Sequence, residues 1–362
     1  MKKKIFECLK NQTLIYIGVI VLTLIGLYLR FDNRMKTPLI GDEAYAVNVM
    51  SRYKPLLAFF NELPHLEFSS YLTGDYYLLY PFVNTFGANK WAVATPHIIS
   101  TILCFYFLFK VCQLHLKTAV GFLMTFAIAS FNSTLIEHSF ELRYYAVLQT
   151  LGLMTYYYTY LLINRPRSLS TIKLIVMGTF FCLTILFHFY SVIMICTMIA
   201  FFLAIHIQNR EVVNVAKKII PLFVVVFLIT GPILYLVLFV KFHVSAIWGN
   251  EPFKYIPNPL DNLIGFLKGI LCNLVGYKKF YFLLAGLVIS LCLPHKDREK
   301  QFWFFLLLVF LPIAALLLLD LKGGYWFIQR QFIWVIPLFA VLLGWCWESI
   351  FSLYSGTSSK DQ

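Results

Sequence analysis

Residues 14–29 read LIYIGVIVLTLIGLYL, an apolar run without a single charged side chain. An uncharged run of about this length predicts a helix that crosses a membrane. Four lysines precede it, at positions 2, 3, 4 and 10, and no small-residue cleavage site follows it. We therefore expect this segment to remain in the protein as a first membrane span.

The composition of the whole chain favours a membrane protein with many spans. Of the 362 residues, 60% are hydrophobic and 13% are charged, whereas soluble chains carry roughly a quarter charged residues. The eight cysteines are scattered, mostly within apolar runs, and form no CxxC pair. They are interpreted as small core side chains, without a disulfide or zinc framework.

The apolar runs predict an all-α integral membrane protein with about ten spans. One polytopic domain, residues 1–352, precedes a short cytoplasmic tail, 353–362. The polar segment 30–90 is expected to hold short interfacial helices, and residues 132–141 a short acidic turn. Within the loop 241–279, residues 261–276 place apolar side chains on one stripe, which predicts an amphipathic interfacial helix. The predicted spans are 14–29, 91–111, 118–135, 144–163, 172–187, 190–207, 219–240, 280–293, 302–319 and 332–350.

Charge distribution predicts the orientation of these spans. With the N-terminus in the cytoplasm, the cytoplasmic segments hold 16 of the 30 Lys and Arg residues and six of the 17 acids, a net charge of +10. The other side then carries 14 basic and 11 acidic residues, a net charge of +3. This asymmetry follows the positive-inside rule. The overall charge of +13 is thus explained by orientation, and nucleic acid is not expected as a partner.

Two adjacent carboxylates stand in the first outer loop. Residues 37–45 read TPLIGDEAY, so that Asp42 and Glu43 follow a Pro-x-x-Gly turn and open a helix-like pattern. One interpretation is structural, because acids at a helix start cap it and complement its dipole. The other is catalytic, because the predicted topology brings further ionisable groups to the same face. Those groups are Glu137, Glu141, Arg143, His188, Lys278, Lys279, Lys322 and Arg330.

Each of these residues also has a simpler interpretation. Arg143 could be an interfacial anchor beside two tyrosines, and Arg330 could extend its guanidinium to the interface. His188 could be an ordinary polar residue at a helix end, and Lys278 with Lys279 could contact lipid headgroups. Ionisable groups at membrane depth are nevertheless usually paired or functional. Their convergence on one face favours a functional site.

Four segments together resemble a known family. PLIGDEAY at 38–45, ELRYYA at 141–146, HFYS at 188–191 and RQFIWVIP at 330–337 resemble motifs of polyprenyl-phosphate-sugar-dependent glycosyltransferases of the C-type membrane fold. The nearest branch is that of the protein O-mannosyltransferases and the lipid A aminoarabinose transferase, glycosyltransferase family 39. The resemblance covers roughly residues 14–350. It implies transfer of a monosaccharide from a polyprenyl-phosphate donor, with inversion at the anomeric carbon.

The resemblance and the chemistry of the residues suggest a role for each side chain. A carboxylate can take the proton of the acceptor hydroxyl, and we expect Asp42 to do so, with Glu43 as an alternative base or a sugar ligand. Cationic and hydrogen-bonding groups would stabilise the departing lipid phosphate; the candidates are Arg330, Arg143, Lys278, Lys279 and His188. Candidates for contact with the sugar or the acceptor are Tyr45, Glu137, Glu141, Trp248 and Trp326.

The expected setting is a bacterial inner membrane, with both termini cytoplasmic and the active site on the outer face. The expected partners are the bilayer, the lipid-linked donor and a cell-envelope glycolipid, polysaccharide or protein as acceptor. No cofactor is predicted; carboxylates and histidine suit a divalent metal, but no spacing requires one. Two alternatives remain open at this point. One is a transporter or flippase of a lipid-linked or anionic substrate, which should show related halves or broken helices. The other is a polysaccharide-assembly scaffold.

Overall fold

The fold is helical throughout the part of the chain that can be described. The computed structural model describes residues 12–39, 42–52, 73–139, 145–164, 170–188, 191–207, 221–222, 224–232, 263–276, 282–292, 299–323 and 333–354. Within these ranges there is no β-strand. The all-α class predicted from the sequence is therefore confirmed.

Thirteen helices can be given bounds in this part of the chain, and residues 224–232 are also helical. In order they are α1 Gln12–Lys36, α2 Asp42–Arg52, α3 Thr73–Phe86, α4 Lys90–His115, α5 Ala119–Phe131, α6 Ser133–His138, α7 Tyr145–Asn164, α8 Thr171–Phe187, α9 Ser191–Ile207, α10 Leu263–Val275, α11 Phe282–Cys292, α12 Glu299–Gly323 and α13 Ile336–Tyr354.

Helix α13 forms the centre of the bundle. Its residues from Leu338 to Leu343 are all fully buried, as expected for a helix that is apolar on every face. It packs against α5 and α11. Gly344 allows α5 to approach closely, because a Cβ there would lie 2.6 Å from the carbonyl oxygen of Gly121. Small residues at helix contacts are typical of membrane bundles.

Among the described residues, three helices are long and apolar enough to cross a membrane: Gln12–Lys36, Lys90–His115 and Ile333–Leu353. Only 22% of the apolar window of the first is buried, against 89% for the last. The exposed large apolar side chains of α1, such as Ile17, Ile20 and Leu24, suit contact with lipid. Shorter apolar helices occur at 119–131, 171–187, 191–200 and 305–315. These findings indicate an integral membrane protein, while the count of ten spans remains a prediction.

The bundle has two distinct ends. At one end, Glu348 of α13 accepts hydrogen bonds from the backbone amides of Lys117 and Thr118, just before α5. We call this the Glu348 end. At the other, which we call the Arg34 end, α1 finishes and α2, α4, α7 and α13 begin. There Lys90 Nζ donates to the carbonyl oxygen of Met35 at 3.0 Å.

The first helix is longer than the sequence predicted. It continues to Lys36, seven residues beyond the predicted end of the span. Arg30, assigned by the sequence to the polar outer loop, is 2% exposed and donates to the carbonyl oxygens of Gly26 and Ala129 and to the hydroxyl of Ser139. The guanidinium is tolerated because it satisfies carbonyls at the end of α5.

The predicted third span and acidic turn are also wrong in detail. Span 118–135 is broken at Asn132, whose backbone amide ends α5 and whose side chain accepts from the amide of Leu135 at the start of α6. Residues 133–138, expected to be a turn, form α6. A side chain that caps a new helix turns the chain sharply without leaving orphan amides.

Helix α10 coincides with the predicted amphipathic segment. Its buried residues Ile270 and Leu274 lie on the predicted apolar stripe, whereas Leu267 on the same stripe is 46% exposed. Asn132 Nδ2 donates to the carbonyl oxygens of Asn273 and Leu274, each at 3.2 Å. These bonds join the end of α10 to the Arg34 end of the bundle. An interfacial position for its exposed half remains a prediction.

Candidate functional site

A buried ion pair joins the end of α1 to the start of α2. Arg34 Nη1 lies 2.9 Å from Oε1 and 3.1 Å from Oε2 of Glu43. The Arg34 side chain is 3% exposed and that of Glu43 is 12% exposed. Because both carboxylate oxygens accept from the same guanidinium, the carboxylate of Glu43 is already engaged. The pair fixes the first turn of α2 against the first span.

Helix α2 begins at Asp42, as the sequence predicted, so both acids stand in its first turn. Its position is held by apolar packing as well as by the ion pair. Val47 and Met50 are buried against Leu79 and Val83 of α3. This placement agrees with a capping role for the two acids, and it agrees equally with a catalytic role. The side chains of Asp42 and Tyr45 lie outside the described part of the structure.

Beside Arg34, the first turns of α4 contribute a buried histidine. His97 is fully buried on α4, the helix that packs against α1 and Arg34. Neither of its ring nitrogens has a hydrogen-bond partner within the described ranges. The same holds for Nε and Nη2 of Arg34. Buried polar atoms are nearly always paired in folded proteins, so this concentration makes the Arg34 end a candidate functional region.

Further buried polar atoms lie at the same end of the bundle, between α7, α9 and α13. Gly152 of α7 lies against Trp334 and Met194. Gln149 and Ser191 stand one turn before Gly152 and Met194 on their helices. Gln149 Nε2, Ser191 Oγ and Trp334 Nε1 have no partner among the described residues. Arg34, His97 and Gln149 were not among the site residues predicted from the sequence. Their only sequence signal is a polar residue near the end of an apolar helix.

His188, predicted near the donor phosphate, is the C-cap of α8 and is 3% exposed. Its backbone carbonyl accepts from the amide of Ser191 at 2.9 Å, which joins α8 to α9. Burial lowers the pKa of His188 to about 3. The imidazole is therefore neutral at pH 7 and would act through hydrogen bonds, without a full positive charge.

The remaining predicted residues fall into two groups. Glu137 lies on α6 and is exposed. The predictions that lie outside the described residues are Glu141, Arg143, Trp248, Lys278, Lys279, Trp326 and Arg330. No group of three or more His, Cys, Asp or Glu side chains suited to a metal ion occurs in the described ranges. Among the described predictions, the structure places Glu43 and His188 at the Arg34 end.

Comparison with known proteins shows which family part of the chain resembles. Residues 75–236 match the profile of the dolichyl-phosphate-mannose-protein mannosyltransferase family, which confirms the resemblance inferred from the motifs. No curated protein and no solved structure gives a significant match to the chain. The apolar helices and the family match together indicate a membrane glycosyltransferase. The matched segment, slightly less than half of the chain, contains His97 and His188 but neither Asp42 nor Arg330.

Proposed function

We propose that this protein transfers a monosaccharide from a polyprenyl-phosphate carrier to a hydroxyl of a cell-envelope acceptor. The acceptor would be a glycolipid, a polysaccharide or a protein. Support comes from the family match, which suggests a lipid-phosphate sugar donor. It also comes from the buried, incompletely paired polar groups at the Arg34 end, where the acidic helix begins.

The observation that carries the assignment of roles is the ion pair between Arg34 and Glu43. It ties the backbone of α2 to α1 immediately next to Asp42. With Glu43 engaged by Arg34, Asp42 is the better candidate for general base. We propose that Asp42 accepts the proton of the acceptor hydroxyl while the acceptor oxygen attacks the anomeric carbon. The bond between that carbon and the phosphate oxygen breaks, and the lipid phosphate leaves with the electron pair.

We propose that cationic and hydrogen-bonding side chains stabilise the leaving phosphate. Arg330 is the first candidate, because an arginine offers two parallel N–H donors to a phosphate. Arg143, Lys278 and Lys279 are further candidates, and neutral His188 could donate a hydrogen bond. Tyr45, Glu137, Glu141, Trp248 and Trp326 are proposed to contact the sugar or the acceptor.

The decisive experiment for this function uses purified protein in detergent with a panel of polyprenyl-phosphate sugars and a cell-envelope extract as acceptor. Release of polyprenyl phosphate that requires both the sugar donor and the extract supports the proposal. A protein that binds the lipid-linked sugars but never releases polyprenyl phosphate would instead be a carrier. Running the assay in parallel with each donor of the panel also identifies the sugar that is transferred.

A further inference from the structure

The guanidinium of Arg34 presents an unused edge. Its Nη1 serves Glu43, whereas Nε and Nη2 have no hydrogen-bond partner among the described residues. The N–H groups of Nε and Nη2 point in the same direction and form the fork that binds two oxygens of one oxyanion. The side chain is 3% exposed, so these donors have little access to solvent.

Leaving such donors buried and unpaired is costly, which calls for an explanation. Arg30, one helical turn earlier on α1, provides the comparison within the same helix. Every nitrogen of its guanidinium donates to an oxygen of the protein. Two buried arginines on one helix thus differ in their hydrogen bonding: all three guanidinium nitrogens of Arg30 donate to protein oxygens, whereas Nε and Nη2 of Arg34 have no partner among the described residues.

His97 supplies a second, independent set of unpaired polar atoms. It is fully buried, and both of its ring nitrogens lack a partner in the described part of the chain. A neutral imidazole always has one N–H to donate. Arg34 and His97 together therefore offer three buried donors, two on the fork and one on the ring, from two packed helices.

The charges nearby suit a single anion. Arg34 is balanced by Glu43, while Lys90, at the start of α4, adds a positive charge at the same helix junction, where its Nζ donates to Met35. The number of donors favours phosphate over carboxylate, because a carboxylate has two oxygens and a phosphate group has at least three that can accept.

We infer that the Nε–Nη2 edge of Arg34 and the ring of His97 form a binding site for a phosphate group. This inference rests on the proposed function, in which that phosphate is the headgroup of the lipid carrier. Arg34 and His97 are not among the phosphate-binding residues expected from the sequence, namely Arg330, Arg143, Lys278, Lys279 and His188, and would contact the same phosphate in addition to them. A free phosphate ion would present the same oxygens, so the test must separate the two sources.

The test measures binding of farnesyl phosphate, inorganic phosphate and farnesol to the purified full-length protein in detergent. Wild-type protein should bind farnesyl phosphate and not farnesol. Arg34→Lys keeps a charge for Glu43 but loses the fork, and His97→Asn leaves the ion pair untouched. Each should weaken binding by roughly 10- to 100-fold, the equivalent of a lost charge-assisted hydrogen bond. Lys36→Gln is the control on the same helix, since Lys36 is exposed and paired with Asp32; its affinity should be unchanged.

Each outcome has a separate meaning. Equal, Arg34-dependent affinity for inorganic phosphate would support the site and make free phosphate its occupant. Unchanged affinity in both Arg34→Lys and His97→Asn would overturn the inference, even if the wild-type enzyme releases lipid phosphate from a sugar donor. Conversely, Arg34-dependent binding in a protein without transferase activity would retain the site and reject the proposed function.

Discussion

Arg34 and Glu43 are nine residues apart in the chain, and a single nitrogen of the guanidinium contacts both oxygens of the carboxylate, at 2.9 and 3.1 Å. The pair closes the connection between the first span and the acidic helix α2. Because Glu43 is engaged by Arg34, we propose Asp42 rather than Glu43 as the general base.

Removal of the carboxylate of Glu43 should destabilise the fold. Glu43→Ala leaves the buried guanidinium of Arg34 without its counter-charge, and breaking a buried pair in this way costs about 3–5 kcal/mol. Thermal and denaturant unfolding in detergent would measure the change. Glu137→Ala is the matched control, since it removes an exposed carboxylate and should alter stability by less than about 0.5 kcal/mol. Equal effects of the two substitutions would contradict a structural role for the pair.

Glycine is required at position 276 for two separate reasons. Gly276 has a φ of +98°, and a Cβ there would lie 2.6 Å from the Cα of Asn132. Gly87 also has a positive φ, of +81°, but its nearest neighbour would be a side-chain atom at 3.8 Å. Gly87→Ala should therefore cost about 1–2 kcal/mol from backbone strain alone. Gly276→Ala should cost clearly more, measured by unfolding, and a smaller loss would mean that α10 does not pack against Asn132 as described.

A substitution at the Glu348 end should lower the stability of the protein without lowering its activity. Glu348 accepts hydrogen bonds from the amides of Lys117 and Thr118 at the start of α5. Glu348→Gln removes the charge that complements the helix dipole and weakens these bonds, at a cost of about 1–3 kcal/mol. Folded Glu348→Gln protein should nevertheless retain wild-type turnover, because the proposed site is at the other end of the bundle. A loss of turnover without a loss of stability would contradict a site at the Arg34 end and indicate one at the Glu348 end.

The orientation of the bundle can be tested with single cysteines in intact cells. The charge asymmetry predicts that residues 31–90 face away from the cytoplasm and that the connector 208–218 faces it. A cysteine replacing Asn48, which is exposed on α2, should react with a membrane-impermeant maleimide. A cysteine replacing Val213 should react only after the membrane is permeabilised. The reverse pattern would place the Arg34 end in the cytoplasm and remove the basis for an outer active site.

The apolar runs were sufficient to predict the all-α class and the membrane character of the fold, because hydrophobic length is the main constraint on a chain in a bilayer. The start of α2 at Asp42 and the position of α10 also followed from local patterns. The extension of α1 through Arg30 and Arg34 did not, since both arginines are buried by partners about 100 residues away or in the next helix. The break at Asn132 was missed for a similar reason, because a capping asparagine has the same sequence signature as a turn.

The site was predicted less completely than the fold. The sequence located the acidic pair and predicted the class of enzyme, and the family match supports that class. It could not show that Glu43 is paired, because the partner is an arginine that hydropathy assigns to a loop. His97 and Gln149 gave no local signal, since a polar residue in an apolar helix acquires meaning only from the side chains that three-dimensional packing brings near it.

The most direct test of the account is the rate of polyprenyl-phosphate release by Asp42→Asn beside the wild-type protein, with matched expression and donor binding. Asparagine caps a helix about as well as aspartate, so the substitution preserves the fold while removing the base. If Asp42 takes the acceptor proton, the rate should fall by about 10²- to 10⁴-fold. An Asp42→Asn rate within a few fold of wild type would show that Asp42 is a capping residue, and would contradict the central claim.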